Sequence, residues 1–273
     1  MTGASTGIGE STALHLRSLG FSVVAGVRAD ADAERLRSQG LIPVRLDVTE
    51  ADSIAAAAAE VESLVGADGL AGLVNNAGIA VAAPIEYVPI DELRRLLEVN
   101  LLGQVAVTQA FLALLRIAEG RVVNMGSIAG RVALPLMGPY AASKFALEAV
   151  SDSLRREVHR QGIQVVVIEP GGIKTPIWEK GAADADRMAD ALPPEGERLY
   201  GKLIDTMREQ TRRIAEERGL PPDEVASVVA TALTSPRPRT RYVVGRDARL
   251  RAALAGRVPD RLLDFLIYRA LGL

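Results

Sequence analysis

Short apolar runs punctuate the chain, and longer stretches with helical periodicity separate them. The runs Phe21–Val27, Leu41–Leu46, Leu70–Asn75, Arg121–Met125, Ile163–Ile168 and Arg241–Val244 are rich in Val, Ile and Leu, several of them on consecutive positions. Consecutive rather than alternating apolar residues mark strands covered on both faces, as in a parallel sheet between helices. Helical patterns occupy Ile8–Leu19, Asp32–Ser38, Glu50–Val65, Ile90–Ala118 and Tyr140–Gln161. This alternation predicts an α/β fold, with one domain over 1–273 built on a doubly wound parallel sheet.

After Ile168 the rhythm changes. Residues 174–219 hold no clear strand, several Pro and Gly, and two helical patterns, the second around Glu197–Glu217. An excursion beyond a strand's carboxyl end is where α/β folds build a helical substrate lid; a plain surface insertion is the alternative. A helical extension at 246–273 ends the sequence. Within it, Arg261–Leu271 sets Leu262, Leu263, Phe265, Leu266, Ile267 and Leu271 against Arg261, Asp264 and Arg269. Such a helix more often closes a core or covers a cleft than rests on a membrane or a partner subunit.

The beginning breaks the pattern. A glycine-rich turn starts at Thr2, yet a dinucleotide-binding turn follows a strand and opens a helix. The expectation is that Met1 occupies the last position of a central strand whose neighbours are left short of hydrogen-bond partners.

Composition excludes several functions. The 273 residues are 48% hydrophobic and 24% charged, which is globular. There is no cysteine, hence no disulfide framework or thiolate zinc site, and His15 and His159 are too few for a histidine metal centre. A net charge of −2 leaves no electrostatic footprint for nucleic acid. No apolar run reaches membrane-spanning length and no signal peptide is evident, so a cytoplasmic protein is expected.

The chemistry begins at Thr2–Gly9. Gly3, Gly7 and Gly9, with Ser5, Thr6 and Ile8 between them, form a turn through which a pyrophosphate can approach backbone N–H groups at a helix start. Ordinary loops share this composition. At the end of the next strand, Val27 cannot bind ribose hydroxyls, whereas Arg28 can pair with a 2′-phosphate. NADP(H) is therefore the expected cofactor, with NAD(H) second; Arg28 as one more solvated arginine is the competing reading. Asn75-Asn76-Ala77-Gly78 follows a strand directly and suits a cofactor-lining loop or a plain turn.

Tyr140 and Lys144 lie four apart on a predicted helix and share one face. A nearby ammonium favours phenolate, so Lys144 is expected to lower the Tyr140 pKa and ready it for proton exchange with a carbonyl or alcohol oxygen. Ser127, just after a strand, can donate to the same oxygen. Alone, a Tyr/Lys pair is more often a solvated helix face; with Ser127 and the glycine turn it reads as catalytic. Pro170-Gly171-Gly172, with Ile173 and Thr175 close behind, could orient a nicotinamide or be a simple turn. Asn100 sits mid-helix, where an amide is mildly unfavourable.

These residues together resemble the short-chain dehydrogenase/reductase family. Thr2–Gly9 matches its Thr-Gly-x-x-x-Gly-x-Gly pattern, Asn75–Gly78 its Asn-Asn-Ala-Gly, and Tyr140–Lys144 its Tyr-x-x-x-Lys. The resemblance implies a Rossmann-type fold and hydride transfer between a nicotinamide and a carbonyl or secondary alcohol. It implies Tyr140 as general acid/base, Lys144 as ribose ligand and tuner of Tyr140, Ser127 as orienter of the substrate oxygen, and Asn100 as holder of a relay water. Asp47 and Val48 look like the adenine contact, Pro170–Thr175 like the nicotinamide-side loop.

Asp152–Glu157, Glu169–Gly171 and Pro238–Tyr242 are similar to the retinol and 17β-hydroxysteroid dehydrogenase branch, which implies a hydrophobic alcohol or ketone substrate and a homo-oligomer, dimer or tetramer. Arg208, Arg212 and Arg213 keep an acidic substrate open. A catalytically silent cofactor-binding or scaffold protein is the rival reading. A serine hydrolase is not, because Gly126-Ser127-Ile128-Ala129-Gly130 is no Gly-x-Ser-x-Gly elbow.

Overall fold

The computed structural model describes residues 1–272. Strands β1 (Val24–Val27), β2 (Ile42–Arg45), β3 (Gly72–Asn75), β4 (Arg121–Met125), β5 (Gln164–Pro170) and β6 (Arg241–Val244) are all parallel. β1 pairs with β2, and the order β3-β4-β5-β6 forms the other part of the sheet. Helices α1 (Gly7–Ser18), α2 (Asp30–Ser38) and α9 (Pro222–Thr234) cover one face. α3 (Ala51–Val65), α5 (Gly103–Ile117) and α6 (Gly138–Glu157) cover the other. Leu73, Val122 and Val165 point into the second layer; their strand neighbours Val74, Val123 and Val166 point into the first. Side chains alternate across a strand, so burial on both faces makes every position apolar.

Met1 and Thr2 join the two parts of the sheet. The Met1 carbonyl accepts from Gly26 N at 2.8 Å and its ammonium donates to Val24 O at 2.6 Å. On the other side Thr2 N donates to Val74 O at 2.9 Å. Met1 thus stands between β1 and β3 at their carboxyl ends, as the sequence predicts. Below it lies an apolar cavity of about 360 Å³, walled by residues including Phe21, Val24, Val61, Leu73 and Phe111.

Four expectations are corrected. The helix over 90–118 is three pieces: α4 (Ile90–Leu97), a π turn at Glu98–Leu102, then α5. The stretch Ile90–Ile117 is also long and apolar enough to cross a membrane, contrary to the sequence reading; here Leu96, Val107, Phe111, Leu114 and Leu115 are buried against the sheet. α9, which packs extensively on α1 through Val225, Ala226 and Val229, was not expected as an element. Finally, the extension forms α10 (Arg246–Leu254) and α11 (Asp260–Leu271), but α11 buries no residue, and Leu262, Phe265, Leu266 and Tyr268 are exposed. It neither closes the core nor covers a cleft.

Residues 174–219 do form two helices, α7 (Pro176–Asp190) and α8 (Pro194–Arg213), set beyond the carboxyl end of β5. Arg95 of α4 ties them to the body through Asp184 at 3.0 Å.

Thr2 Oγ1 accepts from both Asn76 N (3.0 Å) and Ala77 N (2.9 Å). Thr2→Val keeps the shape but strands two N–H donors, so a loss of about 1–3 kcal/mol is expected, while Thr2→Ser stays near the parent. Denaturant midpoints of the three proteins check this.

Candidate active site

The carboxyl ends of the parallel strands surround a cavity of about 440 Å³. From the first turn and the start of α1 come Gly3, Ser5, Thr6, Gly7, Ile8 and Gly9; beyond β1 comes Arg28, and beyond β2 Val48. Asn76, Ala77 and Gly78 follow β3; Ser127 follows β4; Tyr140 and Lys144 reach in from α6. Pro170 ends β5, and Gly171, Ile173 and Thr175 complete the lining.

The glycines are sterically required. Gly3 has φ +62°, and a Cβ there would sit 2.9 Å from Ala77 Cα. At Gly9 a Cβ would collide with the Gly3 carbonyl oxygen. The turn can therefore fold tightly against the Asn76–Gly78 loop only without side chains. Asn76 locks that contact by donating from Nδ2 to Gly3 O (2.9 Å) and Thr2 O (3.2 Å). The start of α1, capped by no side chain, directs its N–H groups at the cavity floor, which suits a pyrophosphate. The cradle, the helix start and the cationic Arg28 together fit a dinucleotide.

Ser127, Tyr140 and Lys144 converge at the far side of the cavity. Ser127 caps a short helical turn at 128–130, its Oγ accepting from Ala129 N at 3.1 Å. Lys144 is 4% exposed and donates from Nζ to Met125 O at 2.9 Å, with Nζ 5.7 Å from the centre of the Tyr140 ring. Burial pushes the Lys144 ammonium down to about 8, and Glu148 opposes this. The Tyr140 hydroxyl is pushed up by burial and drawn back by its hydrogen bond to Ser127. This corrects the expectation that Lys144 lowers the phenol: burial raises it instead.

Asn100 lies behind this set, in the π turn, fully buried. Its Oδ1 accepts from Ile79 N (2.9 Å), and Nδ2 donates to Ile79 O (2.9 Å) and Ser143 Oγ (3.1 Å). A Cβ on Gly78 would meet Asn100 Oδ1 at 3.4 Å and Lys144 Nζ at 3.9 Å, so Asn100 and Lys144 approach the same point.

Besides Asn100, two named residues do not line the cavity. Asn75 is wholly buried and donates to Thr108 Oγ1 (2.8 Å) and Asn124 Oδ1 (2.9 Å), while Asn124 donates to Ser151 Oγ (2.8 Å). It belongs to a polar ladder joining α5, β3, β4 and α6. Asp47 turns its carboxylate onto Thr49 N (3.0 Å) and Thr49 Oγ1 (2.7 Å), with Arg28 at 4.0 Å. Thr49, Val99, Ile177, Trp178 and Lys180 line the cavity without having been foreseen; only proximity to strand ends marked them.

A second cavity, of about 740 Å³, lies between α7, α8, the loop at 80–84 and Leu136-Met137. Trp178 borders both cavities and donates from Nε1 to Ile173 O at 2.6 Å. Leu136 adopts φ +62°, a strained backbone for leucine, at this mouth.

A family model for short chain dehydrogenase matches residues 1–186. The chain belongs to the short-chain dehydrogenases. Within that family its relatives include the NADPH-dependent 3-dehydrocapnine reductase of Ornithobacterium rhinotracheale, 36% identical over 99% of this chain and 96% of that protein. Mouse retinol dehydrogenase 5 is 40% identical over 98% of this chain and 86% of its own. A short-chain dehydrogenase structure from Streptomyces avermitilis superposes with a TM-score of 0.77 at 26% identity, covering 99% and 95% of the two chains. This short-chain dehydrogenase is thus an oxidoreductase of alcohols or ketones, on the retinol and 17β-hydroxysteroid dehydrogenase branch.

The corrected assignments separate cleanly by substitution. Gly9→Ala is expected to abolish cofactor binding, whereas Asn75→Ala lowers stability by about 1–3 kcal/mol with affinity kept. Titration calorimetry with NADP⁺ alongside thermal melts of both variants reads the difference.

Proposed function

We propose that this dehydrogenase uses NADP(H) in preference to NAD(H) to interconvert a neutral, hydrophobic ketone and its secondary alcohol. The observation that carries this is that Ser127, Tyr140 and Lys144 line one cavity together with the glycine turn, and that Trp178 borders both this cavity and the second chamber. A nicotinamide bound there would supply or receive the hydride. Ser127 donates to the substrate oxygen, Tyr140 passes the proton to or from it, and Lys144 holds positive charge nearby. Gly3–Gly9 would hold the pyrophosphate, and Arg28, 74% exposed at its side chain, is free to reach a 2′-phosphate. The NADPH-dependent relative named above and a Burkholderia cenocepacia dehydrogenase structure with NADP, TM-score 0.73 at 25% identity over 99% of this chain and 94% of its own, support that preference.

The chamber argues for a neutral substrate. Ala80, Ala83, Pro84, Leu136 and Met137 supply an apolar wall. The lid arginines are already paired: Arg208 with Asp186 (2.8 Å), Arg212 with Glu209 (2.9 Å) and Glu216 (2.7 Å), and Arg213 with Glu209 (2.7 Å). An acidic substrate finds no unspent charge among them. Relatives named for retinol and hydroxysteroids accord with this chemistry. The same reading makes the protein a cytoplasmic homo-oligomer, joined along the groove between α5 and α6 where Leu112 and Leu154 lie.

Arg28→Ser is expected to weaken NADP⁺ about 10–100-fold and leave NAD⁺ nearly unchanged, through loss of one charge-assisted contact. Paired thermal-shift titrations decide it. Tyr140→Phe is expected to reduce kcat by about 10²–10⁴ with cofactor affinity kept. Because burial raises the Tyr140 pKa, its neutral form prevails at pH 7 and suits carbonyl reduction. Alcohol oxidation needs the phenolate, so its initial rate is expected to climb as pH rises above neutrality.

A further inference from the structure

Behind Lys144, away from the cavity, two carboxyl groups are buried side by side. Glu148 stands one turn further along α6, 12% exposed; Glu169, next to the last residue of β5, is fully buried. Each uses one oxygen. Glu148 Oε2 accepts from Arg241 Nε of β6 at 2.9 Å. Glu169 Oε1 accepts from Arg131 Nε (2.8 Å) and Nη2 (2.7 Å), and Arg241 Nε lies 3.5 Å away. The other two oxygens, Glu148 Oε1 and Glu169 Oε2, are buried and have no hydrogen-bond partner among the described residues. Both side chains converge on one guanidinium nitrogen, Arg241 Nε, at 2.9 Å from Glu148 Oε2 and 3.5 Å from Glu169 Oε1.

Two orphan acceptor oxygens enclosed together repel unless a proton lies between them. We propose that Glu148 and Glu169 share one proton at neutral pH, and that Glu148 acts as a positioning residue that sets the charge of Lys144. The second half rests on Lys144 acting with Tyr140 in turnover.

The surrounding charges are accounted for. On α6 stand Lys144 and Asp152, the latter held by Arg155 (3.0 Å), Arg241 (2.9 Å) and Arg156 (3.7 Å). β6 contributes Arg241, the segment after Gly130 contributes Arg131, and β5 contributes Glu169. Burial and the neighbouring Glu169 push the Glu148 carboxyl up to about 7, against the pull of Arg241. Two arginines thus face the pair, and loss of the shared proton takes its charge from −1 to −2. When the shared proton leaves, Glu148 gains charge just below the range in which Lys144, at about 8, begins to lose its own. The new anion holds the ammonium protonated to higher pH. Glu169 also directly precedes Pro170-Gly171, so one proton connects the residue beneath Tyr140 to the cofactor-side loop.

A carboxyl whose folded pKa lies above its unfolded value of 4.5 contributes stability at low pH that is lost as pH rises toward about 7.

Infrared spectroscopy of the parent protein tests the pairing without any substitution. A protonated-carboxyl band that persists at pH 6 and disappears by pH 8 is expected, and it should be lost in Glu148→Gln and in Glu169→Gln. Absence of such a band in the parent, or its survival in both variants, overturns the shared proton. For the second half, the alkaline limb of kcat/KM in Glu148→Gln should move down by about one pH unit, and Glu148→Asp should restore it in part. A lowered melting temperature with an unmoved pH profile would mean that the pair is only structural. If Lys144→Met turned over normally, the catalytic reading would fail while the infrared result stood.

Discussion

The join between β1 and β3 is carried by the backbone of Met1 and Thr2, and the rest of the site is placed by it. Met1 reaches Val24 and Gly26 on one side, and Thr2 reaches Val74 on the other. Thr2 Oγ1 then fixes the Asn76-Ala77 peptide, and Asn76 returns two hydrogen bonds to the turn. Glycine at positions 3 and 9 lets these segments touch. A few hydrogen bonds therefore position the phosphate cradle, the loop opposite it and, through Gly78, the point that Asn100 and Lys144 approach. Beneath the join, an apolar cavity lies between the two halves of the sheet.

The end of the cavity that holds Ser127, Tyr140 and Lys144 is built by a different device. β4 and β5 bring Ser127 and Pro170 to neighbouring positions, and α6 presents Tyr140 and Lys144 one turn apart. Polar groups below are buried in pairs rather than solvated, and burial sets their protonation more strongly than contact does. That is why Tyr140 moves up and Lys144 down. Water exclusion, set by the packing of α6 on β5, thus tunes the chemistry.

Sequence legibility followed the physics of each signal. β4 was readable to the residue because double-sided burial favours consecutive apolar residues, here Val122 and Val123. α9 was not, since Pro222–Thr234 is short, Ala- and Val-rich, and shows its value only against α1. The glycine turn and the Tyr140/Lys144 spacing were legible because backbone approach and helical pitch are local. Asn75 was misassigned because a motif does not tell which of two adjacent amides turns inward; strand alternation sends Asn75 to the core and Asn76 to the cavity. The pairing of Arg208 with Asp186 was hidden as well, because it depends on how α7 and α8 meet. The outward face of α11 was hidden for the same reason: amphipathicity does not reveal what a helix packs against.

The chain has a single tryptophan, Trp178, and it stands on the wall shared by the two cavities. An indole in that place senses both chambers and is tethered to the backbone of the Pro170–Thr175 loop. Its emission is therefore a built-in optical reporter, free of background from other indoles. A change in the packing of either cavity wall around Trp178 registers in the unmodified protein.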